Sequence, residues 1–145
     1  MYFNDLSIDE LYQVMALRSE VFVVEQNCVY QDLDNKDQEA VHVCGFLEGK
    51  LVAYARLFRP GFYFNDAAIG RVLVAIEARN FKIGHLLMQK SITAISDMFG
   101  TSSITISAQV YLLKFYQSHG FVAKGEEYLE DGIPHVQMER KKSEC

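Results

Sequence analysis

Residues 69–88 (IGRVLVAIEARNFKIGHLLM) decide the fold that the sequence predicts. The first six residues form a mostly apolar strand, and a short connection with an exposed Arg79 leads into a helix whose first turn holds Lys82, Gly84 and His85. A helix N-terminus leaves backbone N–H groups without partners and carries the positive end of the helix dipole. Such a turn favours phosphate groups, so the stretch indicates either a site for a phosphorylated cofactor or an ordinary strand-to-helix connection.

Length and composition predict one globular domain. With 145 residues, 50% of them hydrophobic and 23% charged, the chain can bury a core without disulfide or metal support. The cysteines Cys28, Cys44 and Cys145 lack CxxC spacing, so we expect neither a disulfide framework nor a metal site. No apolar run is long enough to cross a membrane, and the acidic residues 1–10 do not resemble a signal peptide. We therefore expect a cytoplasmic protein without membrane contact.

The net charge limits the kinds of binding partner that the sequence predicts. A formal charge of −5 argues against general nucleic-acid binding and is compatible with a cationic partner.

The N-terminal residues predict a helix followed by a long loop. Ser7 and Glu10 have the spacing of a capping box, and one face of the following helix carries Leu11, Met15, Arg18 and Phe22. Residues 25–39 (EQNCVYQDLDNKDQE) are polar and have no clear period. We expect a loop there, and loops of this length inside a domain are often functional.

The middle of the chain predicts a β-hairpin and a long helix. Residues 41–47 and 51–58 alternate around a turn at residues 48–50. An aromatic loop with Phe62, Tyr63 and Phe64 leads into the strand at residues 69–74. The following helix ends at Gly100, and its predicted apolar face comprises Ile83, Leu86, Leu87, Ala94, Ile95 and Met98.

The C-terminal part predicts a strand at residues 103–109, a short helix at 110–119, strands at 121–129 and 134–140, and a charged tail at 141–145. A strand, a helix and a strand in succession imply a right-handed crossover between two parallel strands. We expect a single α+β (mixed α/β) domain over residues 1–145, with a mostly antiparallel central sheet, one parallel strand pair and helices on both faces.

Residues 79–84 (RNFKIG) and 109–121 (QVYLLKFYQSHGF) carry two motifs, and these resemble the signatures of the GNAT superfamily of acyl-CoA-dependent N-acetyltransferases. Residues 79–84 (RNFKIG) match its phosphate-loop pattern, Arg/Gln-x-x-Gly-x-Gly/Ala, except that Lys82 replaces the first glycine. Val74 falls on the valine that ends the strand before this loop. Residues 109–121 (QVYLLKFYQSHGF) are similar to Asn-x-x-Ala-x-x-Phe-Tyr-x-x-x-Gly-Phe, with glutamine and leucine at the first and fourth positions.

A narrower resemblance covers nearly the whole chain. Residues 18–28 (RSEVFVVEQNC) and 30–34 (YQDLD) are similar to the ElaA-like branch of the superfamily. The segments 52–56 (VAYAR), 69–72 (IGRV) and 130–135 (EDGIPH) extend this match.

The resemblance implies a coenzyme cleft with acetyl-CoA as the acyl donor. The backbone of the strand before the loop would pair with the pantetheine arm, and the loop with Arg79 would hold the diphosphate. The implied contacts are Val72, Leu73, Val74, Arg79, Asn80, Phe81, Lys82, Ile83, Gly84, His85 and Gln109. The alternatives are a fully paired central strand and a His85 that merely lies on the helix surface.

Acetyl transfer to an amine needs a proton donor for the thiolate and a neutral amine. The resemblance implies Tyr116 as the acid, because a phenol is protonated at neutral pH. Glu25 is the candidate base, with His42 and His135 as alternatives, and an amine that enters neutral would need none.

The candidate substrate-binding residues are Arg18, Asp34, His42, Arg56, Arg71 and His135. Arg18 is either a salt-bridge partner at the edge of the core or a site residue. Arg56 and Arg71 either hold Glu25 or Asp34 in place or bind a substrate carboxylate. Two acidic sets would suit a cationic amine or form solvated surface: Asp32, Asp34, Asp37 and Glu39, and Glu126, Glu127, Glu130 and Asp131.

The leading interpretation is an enzyme that moves an acetyl group from acetyl-CoA to a primary amine of a small molecule or peptide. A non-catalytic acyl-CoA-binding sensor is the alternative, and Lys82 in the loop is its support. A third hypothesis is an interaction module that acts as a homodimer through Phe62, Tyr63 and Phe64.

Overall fold

The computed structural model describes residues 1–141, without the side chains of Asn80 and Phe81. In this part the strands are β1 (Val41–Leu47), β2 (Lys50–Phe58), β3 (Ala67–Val74), β4 (Ile104–Gln109), β5 (Val122–Glu130) and β6 (Ile133–Arg140). The α-helices are α1 (Ile8–Arg18), α2 (Ile83–Phe99) and α3 (Leu113–Gln117). No helix among these is both long and apolar enough to span a membrane. Cys145 and the predicted tail beyond Lys141 lie outside the described residues.

All six strands form one sheet in the order β1-β2-β3-β4-β6-β5. Neighbouring strands are antiparallel except β3 and β4, which are parallel and are connected through α2. The predicted α+β fold, with one parallel pair in a mostly antiparallel sheet, is confirmed.

The helices cover both faces of the sheet, as predicted. Val14 and Leu17 of α1 share a buried cluster with Tyr54 of β2. On the other face, Leu87 of α2 packs in a cluster with Ala55 of β2. Successive residues of a strand point to opposite faces, so these clusters form separate layers.

The start of α1 is the predicted capping box. The Glu10 backbone N–H donates to Ser7 Oγ at 3.0 Å, and the Ser7 N–H donates to Glu10 Oε1 at 2.9 Å. After α1 the chain widens into a π-helical segment, Ser19–Glu25, in which the Gln26 N–H donates to the Val21 carbonyl oxygen, five residues back, at 3.2 Å. This segment ends with Glu25 beside the cleft described below.

The buried face of α2 differs from the predicted one. Leu86 is 53% exposed and Met98 is 38% exposed, whereas the buried positions are Leu87, Met88, Ser91 and Ile95. Apolar residues lie on more than one side of α2, so their spacing alone could not set its rotation. Ser91 was not recognised as buried because it is polar, but its hydroxyl donates to the Leu87 carbonyl oxygen at 2.8 Å.

Two further local predictions need correction. The buried face of α1 and the π-helical segment is formed by Val14, Leu17, Arg18, Val21 and Phe22, while the predicted Leu11 and Met15 are only half-buried. The short helix predicted at residues 110–119 is a 3₁₀ turn, Val110–Leu112, followed by α3.

The aromatic loop before β3 is partly packed. Phe62 stacks on Phe58 with ring centroids 5.0 Å apart, and Phe62 and Phe64 are half-buried in this cluster. Only Tyr63 of the three is exposed, at 44%.

Candidate active site

The parallel strands β3 and β4 are paired only where they begin. Ala67 pairs with Ile104 and Ala68 with Thr105, and β4 is paired with β6 along its whole length. The rest of β3 has partners only in β2. A gap therefore opens between the carboxyl ends of β3 and β4, and backbone polar groups of β3 face this gap without strand partners.

A cleft of about 520 Å³ occupies this gap. The predicted site residues that line it are Glu25, Arg56, Arg71, Val72, Leu73, Val74, Arg79, Lys82, Gly84, His85, Gln109, Tyr116 and His135. Within the described part of the chain, Arg18, Asp34, His42 and Ile83 do not line it. The side chains of Asn80 and Phe81 lie outside that part.

The backbone of β3 alternates between the gap and β2. The Ala75 N–H donates to the Val52 carbonyl oxygen at 2.7 Å, so residues 73 and 75 turn their polar groups toward β2. Val72 and Val74 consequently turn theirs toward the gap. The Val74 carbonyl oxygen accepts a hydrogen bond from Arg79 Nε at 3.0 Å.

The turn between β3 and α2 has a left-handed residue at the position where the GNAT pattern has glycine. Residues Ile76–Phe81 form a 3₁₀ segment, and Lys82 follows with φ 56° and ψ 24°. Glycine adopts this conformation freely, whereas it costs a side-chain-bearing residue on the order of 1–2 kcal/mol. The chain thus keeps a glycine-like backbone at Lys82. The N–H groups at the start of α2 that follow it have no intrahelical partners.

Gly84 lies where α2, α3 and β3 meet. A Cβ atom at this position would be 3.5 Å from Phe115 Cε1 and 3.8 Å from Val74 Cγ2, which are ordinary contact distances. The position therefore accommodates glycine or alanine and nothing much larger, in agreement with the GNAT pattern.

A pair of histidines ties the start of α2 to the end of α3. His85 Nδ1 and His119 Nε2 are 2.9 Å apart, and the ring of Phe115 packs against both. Burial lowers the pKa of His119, and the charges of His85 and Arg140 lower it further. His85 thus lines the cleft and supports its helical wall.

Glu25 and Arg79 form an ion pair at the cleft. Arg79 Nη2 is 2.9 Å from Glu25 Oε1 and 2.8 Å from Glu25 Oε2. The side chains are 34% and 40% exposed, respectively, so solvent reaches the pair. Glu25, the candidate base, and Arg79, the candidate diphosphate-binding residue, are therefore paired with each other in this structure.

Tyr116 is the buried phenol of the cleft. It lies on α3, is 6% exposed and meets the rings of Phe115 and Phe121 edge-to-face. Burial raises the pKa of Tyr116, and the charge of Tyr111 raises it further, so the phenol is protonated at neutral pH.

Three arginines and three aspartates form one ion-pair network beside the cleft: Arg18, Arg56, Arg71, Asp32, Asp34 and Asp37. Arg18 and Arg56 are each 1% exposed. Arg18 Nε is 2.9 Å from Asp32 Oδ2, and Arg18 Nη1 is 2.7 Å from Asp37 Oδ1. We call this set the Arg–Asp network. Of the two predicted roles of Arg18, the structure shows the salt-bridge partner at the edge of the core.

The network also settles what Arg56 and Arg71 contact. Arg56 Nη1 donates to Asp34 Oδ1 at 2.8 Å, and Arg71 Nε donates to Asp32 Oδ1 at 2.9 Å. Burial alone would raise the pKa of Asp34, but Arg56, with help from the Lys36 N–H and Arg71, holds it below its usual range. These aspartates are thus neutralised by arginines, and neither Arg56 nor Arg71 is paired with Glu25.

His42 lies beneath the network, away from the cleft. Its Nε2 is 2.9 Å from the Asp37 carbonyl oxygen, which can only accept, so Nε2 carries a proton. Its Nδ1 then accepts from the Tyr54 hydroxyl at 2.5 Å. Burial lowers the pKa of His42, and both ring nitrogens have protein partners.

His135 lines the cleft on β6 and is 5% exposed. Its Nδ1 is 2.7 Å from the Ile133 carbonyl oxygen, and its Nε2 is 3.3 Å from Glu130 Oε2. Glu130 and Asp131 also line the cleft, whereas Glu126 and Glu127 do not. The structure therefore places only part of the second acidic set at the site.

Several contacts at the cleft were missed by sequence reasoning. The Ser107 and Tyr128 hydroxyls are hydrogen-bonded to each other, and Gln26 Nε2 donates to Gln109 Oε1 at 3.3 Å. Cys28 Sγ is 3.3 Å from the Asp131 carbonyl oxygen, 103 residues away in sequence. No local sequence pattern predicts contacts between residues that are so far apart in the chain. A signal did exist for the network, because an arginine inside the apolar strand VAYARLF requires a buried partner.

Comparison with known proteins assigns a class to this fold and cleft. A family model described as the acetyltransferase (GNAT) domain matches residues 5–142. The chain belongs to this family, as the two motifs predicted.

Protein ElaA of Escherichia coli K12 is 40% identical over 143 residues, which cover 97% of this chain and 94% of that protein. The crystal structure of E. coli ElaA matches with a TM-score of 0.90 at 39% identity, over 97% of this chain and 96% of that one. The ElaA-like resemblance is thereby confirmed.

Two further solved structures, both of acyltransferases, have the same fold as this chain. An acyl-CoA N-acyltransferase from Pseudomonas aeruginosa matches with a TM-score of 0.90 at 40% identity, over 97% of this chain and 96% of that one. An aminoglycoside 6′-N-acetyltransferase complexed with coenzyme A shares the fold at 14% identity and a TM-score of 0.71, over 97% and 94% of the two chains.

Proposed function

We propose that this protein transfers an acetyl group from acetyl-CoA to a primary amine of a small molecule or peptide, by direct attack in a ternary complex. The observation that carries the proposal is the unpaired edge of β3 at residues 72–74, which faces a cleft lined by the start of α2 and the buried Tyr116. Membership of the GNAT family and the similarity to an acyl-CoA N-acyltransferase support it.

In the proposed complex, the pantetheine arm extends the sheet along β3. The polar groups of Val72 and Val74 face the gap and can hydrogen-bond to its amides, as an added strand would. Leu73 supplies an apolar wall instead, because its polar groups face β2. The diphosphate lies at the start of α2, where the N–H groups of residues 83–85 and the helix dipole favour an anion. Gln109 lines the opposite wall, on β4.

Two basic side chains near this anion site add charge to it. Arg79 can hold the diphosphate through its guanidinium once it leaves Glu25, and Lys82 can approach it as a point charge. The backbone contacts predicted for Asn80 and Phe81 belong to the same proposal.

The proposed reaction proceeds through a tetrahedral intermediate. The amine nitrogen attacks the thioester carbonyl carbon, and a C–N bond forms. A backbone N–H of Val72 or Val74 stabilises the oxyanion. The C–S bond then breaks, and the Tyr116 hydroxyl donates its proton to the leaving thiolate.

A non-catalytic acyl-CoA-binding sensor is the second candidate. Lys82 favours it, because a side chain stands where the family pattern has glycine. The left-handed backbone at Lys82 keeps the turn in a glycine-like conformation, so we rank the enzyme first.

The proposal is tested by acetyl-CoA binding and thiol release. We expect acetyl-CoA at one hundred times its Kd to stabilise the protein by about 2.7 kcal/mol, seen as a higher Tm, with ATP as the matched nucleotide control. A panel of primary amines should then release free coenzyme A thiol. Absence of stabilisation would contradict both candidates, and stabilisation without thiol release from any amine would favour the sensor.

A further inference from the structure

We propose that His135 and Glu130 form the site that receives the ammonium group of the acceptor and removes its proton. This inference rests on the proposed acetyl transfer and assigns the base that the reaction requires. It comes from the hydrogen bonds of the His135 ring and from the position of Glu130 at the cleft.

The tautomer of His135 follows from its backbone contact. The Ile133 carbonyl oxygen, 2.7 Å from Nδ1, has no proton to donate, so a neutral ring carries its proton on Nδ1. Nε2 of the neutral ring is then an acceptor, and it lies 3.3 Å from Oε2 of Glu130, which also lines the cleft. Two acceptors thus face each other across a short distance. An ammonium group, which has several N–H donors, satisfies both at once.

The charged groups around His135 favour a cation at this point. From β5 and the following turn, Glu130 and Asp131 present carboxylates and Tyr128 stacks its ring on the imidazole. From β4, Ser107 and Gln109 contribute only uncharged polar groups. On the opposite wall the nearest charged side chains are engaged: Glu25 with Arg79, and Arg71 with the Arg–Asp network.

The other candidate bases are less well placed. Both carboxylate oxygens of Glu25 are in contact with Arg79, so Glu25 is already engaged by a cationic side chain. His42 does not line the cleft, and both of its ring nitrogens are occupied. Of the three candidate bases, His135 is therefore the one that lines the cleft without a basic partner.

The protons balance along this route. The ammonium first transfers one proton to His135 Nε2, and the resulting imidazolium is held by Glu130. The neutral amine attacks the thioester and loses a second proton, while the thiolate gains one from Tyr116. The second amine proton restores the Tyr116 phenol, and the proton on His135 leaves to solvent through Glu130.

The premise is tested without any substrate by the imidazole tautomer. Long-range ¹H–¹⁵N correlation spectra of the full-length protein should show the neutral His135 ring protonated at Nδ1, with the signal assigned by its loss in His135→Gln. A ring that carries a proton on Nε2 at neutral pH, as the other neutral tautomer or as an imidazolium, would leave no lone pair to take the proton of the ammonium group, and would overturn the proposal.

The role is tested with two acceptor probes, 2-phenylethylamine and its β,β-difluoro analogue. They suit a cleft that is also lined by Phe58 and Tyr63, and fluorination greatly increases the fraction of the amine that is neutral at pH 7. We expect His135→Gln to lower kcat/KM for the first probe by about 10²-fold or more and to leave that for the second nearly unchanged. Glu130→Gln should raise the KM of the first probe, and Glu127→Gln, which alters a carboxylate outside the cleft, should have no effect.

Each outcome separates this inference from the proposed function. Equal losses with both probes would indicate a structural role for His135, and a probe-dependent loss in Glu25→Gln instead would assign the base to Glu25. If the wild-type protein prefers another amine of the panel, that amine and its fluorinated analogue replace the probes. If it acetylates no amine, the proposed function fails, and the tautomer measurement still decides the geometry of His135.

Discussion

Tyr116 depends on its surroundings for its chemistry. The phenol is protonated at neutral pH in water, and its burial against Phe115 and Phe121 moves its pKa further upward. A phenol in this position keeps its proton throughout the neutral pH range. The motif located the tyrosine, and the packing of α3 sets its protonation.

We expect Tyr116→Phe to bind acetyl-CoA with an unchanged Tm shift and to lose about 10²-fold in kcat, because the ring packing remains while the proton donor is lost. Thiol release measured between pH 6 and pH 9 checks this. Tyr12→Phe, which makes the same change on the exposed face of α1, is the control. Full turnover by Tyr116→Phe across this range would show that the thiolate leaves without an acid from this residue.

Two residues of β3 and the turn that follows it have strained backbone conformations. Arg71 and Lys82 have φ values of 50° and 56°, in a region that non-glycine residues rarely adopt. Arg71 lies where the pairing of β2 with β3 shifts register, between Tyr54 and Arg56. Such strain is held by the surrounding structure and clusters at functional sites. The shift of register at Arg71 changes which residues of β3 turn their backbone polar groups toward β2, and it does so just before Val72.

At the scale of elements, the Arg–Asp network joins parts that are distant in sequence. Arg18 closes α1, the aspartates come from the loop before β1, and Arg56 and Arg71 lie on β2 and β3. Buried ion pairs contribute little net stability when complete, but losing one partner leaves a charge without compensation. The network therefore holds the loop against the sheet beside the cleft.

We expect Arg18→Met to lower the free energy of unfolding by about 3–5 kcal/mol, because Arg56 and Arg71 then face three aspartates and one largely buried negative charge is left without compensation. Arg59→Met is the control, since Arg59 pairs with Glu39 at 3.2 Å with both side chains about half exposed, and we expect about 1 kcal/mol or less there. Urea unfolding followed by circular dichroism measures both.

The double variant Arg18→Met with Asp37→Asn distinguishes charge from packing. If charge compensation is the cause, the double variant loses less stability than the sum of the two single losses. Strict additivity would contradict the network as a coupled unit.

At the scale of the whole molecule, the ion pair between Glu25 and Arg79 bridges two parts of the cleft wall. Glu25 ends the segment that follows α1, and Arg79 lies in the turn between β3 and α2. Arg79 also donates to the Val74 carbonyl oxygen, a group that the proposed pantetheine contact requires. In the proposed complex, the coenzyme would therefore compete with these contacts for the Arg79 guanidinium and the Val74 carbonyl oxygen.

We expect Glu25→Gln to tighten acetyl-CoA binding by up to about fivefold, because a solvent-exposed ion pair of this kind is worth about 0–1 kcal/mol. Isothermal titration calorimetry measures the Kd, and Glu20→Gln, an exposed carboxylate of the same segment, is the control. Weaker binding would show that Glu25 positions Arg79 for the diphosphate. An accompanying loss of kcat would favour Glu25 as the base over His135.

Much of the fold was predictable because its signals are local. The hairpin of β1 and β2 follows from a period of two, the start of α1 from a capping box, and the end of α2 from Gly100, which adopts a left-handed φ of 68°. The rotation of α2 was not predictable, because apolar residues on several sides left its buried face undetermined. That face was selected by packing against β1, β2 and β3.

The sequence by itself determined the order of the elements and the positions of the two motifs, because hydrophobic period, caps and short motifs act over a few residues. Only the tertiary structure decided which charged side chains are available at the cleft. Asp34 and Glu130 are both acidic in the sequence, yet one is neutralised by Arg56 and the other faces His135 at the cleft. The availability of a charge depends on partners that folding brings together from tens of residues away, and no local pattern encodes those partners.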